Sequence, residues 1–299
     1  MNCKVSNLFC ILCLLPAFGY GQSDAYSLQR ILQRYTETYG GFRDAEALSS
    51  LSIEGTIEQN GQNYAFLVYQ KRPYSMRYRI SNGVNSVITG FNGSSGWIRV
   101  ETNGEVMIKS LNGSEYDSLR KMARFDSPLF RHLEKSQVQI NQLERSIWEG
   151  NSVYIIEVRE PGDLVSHYYL DAKSAYLLRR DELSAQGGIA FQTLYRDYRE
   201  VEGFPLAHEI ETRVGEQTVS LANVHTIEVN HGLLSFFFEK PDRKALHQAR
   251  KAAHATGHST HGFFTGFFGL DGGFLHSCKQ GLFDEFGVFL QKFRVNFEA

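Results

Sequence analysis

The sequence predicts an α+β protein dominated by one large antiparallel sheet of about ten to twelve strands with two helical segments. Three observations carry that prediction. From Leu51 the apolar residues recur with a period near two, and the pattern persists to Val229. Turn chemistry punctuates it, notably Asn60-Gly61, "SNG", "NGSSG" and "TNG". Before Pro241, helical spacing appears in only two places, ahead of Leu51 and within 113–135. A sheet of that size must curl or close.

The elements follow in chain order. Lys4 precedes the apolar run "LFCILCLLPAFG", which is too short to span a bilayer, and small residues Ala17, Gly19 and Gly21 follow. Residues 1–21 therefore read as a cleavable secretory signal. Cys10 and Cys13 lack the small preceding residues of a lipid-attachment site. Cys278 is the single cysteine after the signal, so the exported chain has no intramolecular disulfide and depends on its core. Asp24 is placed to cap a helix carrying Leu28, Ile31, Leu32 and Tyr35 on one face, and Gly40-Gly41 stops it. A short helical turn is expected at 45–48.

The first hairpin can be registered from sequence. "LSIEGTIEQ" and "QNYAFLVYQ" flank Asn60-Gly61, the dipeptide favoured by two-residue type I′ turns. Pairing Gln59 with Gln62 sets Ile57 opposite Tyr64, Gly55 opposite Phe66 and Ile53 opposite Val68, all on one face. The Phe66 ring then covers the bare backbone at Gly55. The same parity turns Arg72 toward that apolar face.

Further strands are predicted at 74–80, 84–91, 96–100 and 105–111. Helical segments follow, with Tyr116, Leu119 and Met122 in one, and Leu129, Phe130 and Leu133 after Ser127-Pro128 in the next. Strands resume at 138–143, 146–148, 153–158, 165–170, 176–183, 189–199, 208–214 and 219–229.

Residues 22–241 thus form the folded domain. Residues 242–299 differ in composition, rich in His, Phe and Gly. They read either as a weakly ordered extension or as an amphipathic segment for peripheral contact with a membrane or partner, since Leu282, Phe286, Phe289 and Phe293 share one helical face.

Catalytic chemistry is sparse. The chain has no GxSxG nucleophile turn, no glycine-rich phosphate loop and no dinucleotide fingerprint. His208-Glu209 lacks the second histidine of a zincin. His254, His258 and His261 are the best metal candidates, but no carboxylate accompanies them, so no metal or cofactor is expected. Asp181-Glu182 and Glu209/Glu211 read as decoration of solvated strands. A formal charge of −2 without a long basic run argues against nucleic acid as a partner. Fifteen Tyr and twenty-two Phe, many at alternating positions, remain the main signal. A curved sheet with an apolar concave face either fills itself with side chains or holds a ligand.

The run from signal and helix through the Asn-Gly hairpin to "YQKRPYSMRYRI" and "GFNGSSGWIRV" resembles the LolA-type periplasmic carriers of outer-membrane lipoproteins and their lipoprotein-sorting-like relatives. Lys71-Arg72-Pro73, Asn92-Gly93 and Trp97 carry the resemblance. "YLDAKSAYLLRR" and "YREVEGFPLAHEIE" are similar to the wider sorting-like family. The resemblance implies a strongly curved sheet, an incomplete β-barrel, with an N-terminal helix and a helical lid.

It also implies a periplasmic protein without covalent chemistry that hides the acyl chains of a lipoprotein or lipid, with inner- and outer-membrane handover proteins as partners. Exposed acyl chains cost about 0.8 kcal/mol per CH₂, so only a deep apolar cavity shields them. Ile53, Ile57, Tyr64, Phe66, Val68, Met76 and Tyr78 are the expected lining. Arg72 is the expected latch to a lid within 113–135, which does not match the family lid residue by residue. Related folds also serve as envelope-stress sensors that bind lipidated ligands; the alternative that stays open is a sensor or interaction protein whose cavity is self-filled and which acts through a protein partner. A hydrolase is a third reading, requiring His167, His208 or His225 beside an activated nucleophile.

Overall fold

The computed structural model describes residues 27–39, 48–59, 61–130, 138–162 and 164–242. The signal segment, the Asp24 cap, the Gly40-Gly41 stop, the turn at 45–47, most of the second helical segment after Pro128, and the tail beyond Asp242 lie outside the described residues. Helix α1 (Leu28–Thr38) buries Ile31, Leu32 and Tyr35, the stripe its spacing predicts. Its outer groups are tied down too. Arg34 donates to the carbonyls of Ala172 and Lys173 at 2.9 and 2.7 Å, and the Thr38 hydroxyl donates to Ser174 O at 3.1 Å.

Six strands follow: β1 (Ser50–Gln59), β2 (Gln62–Lys71), β3 (Ser75–Ser81), β4 (Ser86–Asn92), β5 (Gly96–Thr102) and β6 (Glu105–Leu111). Helix α2 (Gly113–Met122) interrupts them. Then come β7 (Gln139–Trp148), β8 (Asn151–Glu160), β9 (Leu164–Asp171), β10 (Leu177–Leu183), β11 (Ile189–Val201), β12 (Phe204–Val214) and β13 (Gln217–Val229). All thirteen strands pair antiparallel in one sheet of order β6-β5-β4-β3-β2-β1-β13-β12-β11-β10-β9-β8-β7. Each strand therefore pairs with its chain neighbours, except that β6 and β7 stand at opposite ends of the order, and β13 returns to pair with β1. The sheet is open, with β6 and β7 as its edges.

The count exceeds the expected ten to twelve by one. Segments 138–143 and 146–148 are a single strand, β7, whose register against β8 shifts between Gln142 and Glu144. The extra residue at this bulge breaks the alternation and leaves Leu143 exposed, so one strand reads as two.

Curvature follows from contacts made by one helix. Strand order puts β5 and β8 ten steps apart, on the order of 48 Å in a flat sheet at ~4.8 Å per strand. Helix α2, with ten residues, is only about 15 Å long. Yet Leu119 packs on Gly96 of β5, while Arg124, two residues past the helix, pairs with Glu160 at the end of β8 at 3.1 Å. The sheet must curl to bring both within reach. This is the incomplete barrel, with α1 and α2 in its concavity.

The outer face of β2–β6 carries a strap that the sequence did not announce. After β13 the chain crosses five strands, with a 3-10 turn at Ser235–Phe238. Lys71 Nζ donates to Leu233 O at 2.6 Å, and the Phe237 ring meets Tyr69 edge-on at 4.8 Å and Arg77 at 4.4 Å. Trp97 Nε1 donates to Phe238 O at 2.8 Å, and Lys240 Nζ donates to Ser110 at 2.9 Å. Phe238 is fully buried beneath it. Trp97 itself lies over Gly90, where a Cβ would come within 2.3 Å of the indole.

Candidate functional site

The hairpin register is the one the sequence sets: Ile57 faces Tyr64, Gly55 faces Phe66 and Ile53 faces Val68. Strand β3 extends the rows, pairing Tyr78 with Val68 and Met76 with Gln70. At Gly55 a Cβ would meet the Phe66 ring at 2.6 Å and Asn223 O at 2.2 Å, so only glycine lets the ring lie on the sheet. A bulge on β13 beside Gly55 adds local twist there.

Of the seven expected lining residues, Ile53, Ile57, Phe66, Val68, Met76 and Tyr78 are buried in one continuous cluster. Tyr64 is partly buried at its margin, and its hydroxyl donates to Gln62 at 2.6 Å. Burial pushes the Tyr78 hydroxyl pKa well above its usual value.

The protein's own helices cover this face. Ile31, Leu32 and Tyr35 of α1 join Leu119 and Met122 of α2 and then Phe125 and Leu129 in the same cluster. Tyr35 meets Phe130 at 5.3 Å between ring centres, so α1 touches the segment that follows α2. In this arrangement the concave face is closed.

Arg72 sits one residue past β2, beside a cis peptide bond to Pro73. Its Nε donates to Leu48 O at 2.6 Å, its Nη1 pairs with Asp126, and its guanidinium lies 4.7 Å from the Phe125 ring centre. Phe125 N–H in turn donates to Pro73 O at 3.3 Å. Arg72 therefore meets the segment following α2, on the side its parity indicates.

Four neighbours went unnamed at the sequence level. Gln70, 3% exposed, donates to Met122 O at 3.4 Å at the foot of α2. The parity that turns Arg72 inward turns Gln70 inward as well, so that signal was available. Asp126 and the Arg124–Glu160 pair had no such signal, because they depend on how the sheet curls. Ser127 Oγ accepts from Leu129 N–H at 3.1 Å, as a residue opening a helical turn does.

One sequence reading is overturned. Asp181 is not solvated: it is fully buried and gripped by Arg179 Nε and Nη2 at 2.8 and 2.7 Å. Glu211 is 7% exposed and bonded by Arg213, Thr218 and Arg196. Long arginine side chains cover these carboxylates on the outer face, which strand alternation cannot register. Burial drives the Glu211 carboxyl pKa up, but the three hydrogen bonds outweigh it and bring it down to about 2.

For the hydrolase reading, His225 Nε2 lies 3.3 Å from Thr56 Oγ1, both exposed on the outer face. His167 Nε2 stands 3.8 Å from Glu157, and His208 Nδ1 lies 2.9 Å from Leu206 O. Among the described residues, no three His, Cys, Asp or Glu side chains converge as a metal site requires.

Fold and site together define the class: an open, curled antiparallel sheet whose apolar concavity is closed by helices. No family model and no curated protein matches the chain. Among solved structures it is similar to a DUF1329 family protein from Desulfovibrio piger, with 13% identity over 73% of this chain and 98% of that one and a TM-score of 0.50. It is also similar to the LolA superfamily protein NE2245 from Nitrosomonas europaea, with 12% identity, coverage of 71% and 97%, and a TM-score of 0.49. A third is a putative outer membrane lipoprotein-sorting protein domain from Vibrio parahaemolyticus, with 12% identity, coverage of 68% and 95%, and a TM-score of 0.47. At these identities the likeness is one of fold.

Proposed function

We propose that the protein is an exported, periplasmic carrier that shields the acyl chains of a lipoprotein or lipid in the concavity between sheet and helices. No covalent chemistry is required. The single observation that carries this reading is the fastening of the segment after α2. Phe125 and Leu129 close the apolar face, and polar contacts at the rim, chiefly Arg72 with Asp126 and Leu48 O, hold them there.

Such a lid separates the apolar cover from the groups that fix it. Rim contacts are exchangeable with water at modest cost, whereas the apolar residues beneath need a replacement before they part. An acyl chain is that replacement. Ile53, Ile57, Tyr64, Phe66, Val68, Met76 and Tyr78 would line the opened cavity, with Arg72 as the latch. Handover proteins at the inner and outer membranes would supply and remove the client.

Stopped-flow uptake and release of a fluorescent triacylated lipopeptide by wild type and Arg72→Leu tests the latch. Faster exchange in the variant supports it, and unchanged rates for both steps remove it.

A second reading has its own observation. Six of the seven lining residues are buried under the protein's own side chains. That favours an envelope sensor or interaction protein whose cavity stays self-filled and which acts through a protein partner. Failure to bind any lipopeptide, with a protein partner captured instead, would select it.

A further inference from the structure

A cleft of about 50 Å³ opens where the end of α2 meets the ends of β8, β9 and β10. It lies on the concave side of the sheet. Arg180 forms part of its wall and is only 4% exposed. Its row confirms the inward direction: Arg180 pairs with Tyr168 on β9 and Thr193 on β11, both buried.

A cation here is costly. Removing a guanidinium from water is offset only by good partners, and an apolar side chain of similar size would pack without that cost. Glu182, two residues along the strand, pairs with it, and the Tyr168 ring centre lies 5.8 Å from its carbon.

Among the described residues, one cation at the cleft stands outside its ion pairs. Glu160 is taken by Arg124 at 3.1 Å and Glu182 by Arg180. Lys121, from the last turn of α2, also lines the cleft, is exposed, and forms no ion pair among the described residues. Among the described residues, Arg124, Arg180 and Lys121 thus stand with Glu160 and Glu182 there. The remaining wall is apolar. Met122 belongs to the buried cluster under the lid, while Leu164, 37% exposed, stands in the same wall.

We propose that this cleft seats the anionic headgroup, carboxylate or phosphate, of an amphiphile whose chain passes Met122 into the concavity. The proposal rests on the carrier reading and narrows its substrate class. Lys121 meets the headgroup at the rim, Arg180 takes it deeper, and the planar guanidinium suits a two-pronged contact with an oxyanion.

The test is calorimetric titration of the full mature chain with lysophosphatidylglycerol, lysophosphatidylcholine of equal chain length, and inorganic phosphate. The anionic lipid should bind about ten-fold tighter than the zwitterionic one. Lys121→Ala, which alters only an exposed side chain, and Arg180→Gln should each erase most of that preference. Equal affinity for both lipids, or a preference untouched by Lys121→Ala, overturns the headgroup seat and leaves the carrier reading standing. Binding of inorganic phosphate as tightly as the anionic lipid also overturns it, since the chain would then contribute nothing. If neither lipid binds, the headgroup seat falls, and the triacylated lipopeptide decides the carrier reading separately.

Discussion

The Arg72 guanidinium joins the end of β2 to Asp126, four residues past α2, and covers the Phe125 ring on the way. One side chain thus fixes the lid segment to the sheet through an ion pair, a ring contact and a bond to Leu48 O. Both charged groups are partly exposed, at 22% and 33%, so water screens the pair. Asp126→Asn should therefore cost only about 1 kcal/mol of global stability in urea unfolding. Its larger effect should be local, as faster amide hydrogen exchange at Phe125 and Leu129 than at β2 and β3. Uniform exchange across the domain would show that the segment is not a separate unit.

Gly55 answers to the Phe66 ring on one side and Asn223 O on the other. Gly55→Ala should destabilise by about 2 kcal/mol or more, because a backbone carbonyl cannot step aside as a side chain can. Adding Phe66→Leu should relieve only part of that loss. Full rescue in urea unfolding would mean that the ring alone excludes a side chain there.

Glu211 ties stability to pH. Its folded pKa of about 2 lies below the ordinary carboxylate value of 4.5, so the folded state holds its proton less tightly than the unfolded chain. The resulting stabilisation is complete above pH 4.5 and is lost as pH falls toward 2. The contribution is on the order of 2 kcal/mol. Glu211→Gln should lower the midpoint of urea unfolding at neutral pH and flatten its decline below pH 4.5. Parallel curves for the two proteins would contradict the assignment.

The strap is structural by its contacts. Phe238→Ala should cost about 3 kcal/mol, the scale for truncating a buried phenylalanine. Removing residues 243–299, which follow it, should leave cooperative thermal unfolding intact. Loss of cooperativity on that truncation would place the tail within the core.

Much of the sheet was legible because alternation and turn chemistry are local. Asn60-Gly61 fixed the β1–β2 register, and with it the burial of Ile53, Ile57, Phe66 and Val68. What local pattern could not carry was closure. Arg124 meets Glu160 across ten strands of sheet order only because the sheet curls. Asp181 looked solvated because arginines from neighbouring positions cover it. The strap escaped because "LLSFFFEK" has no period, and its aromatic side chains are explained only by Tyr69, Arg77 and Trp97 beneath them.

Native mass spectrometry of the mature protein, isolated gently from the periplasm and then incubated with a triacylated lipopeptide, tests the carrier claim most directly. The account predicts a defined lipid or lipidated peptide bound one-to-one, either as isolated or after incubation. A ligand-free mass under both conditions would contradict it and turn attention to protein partners.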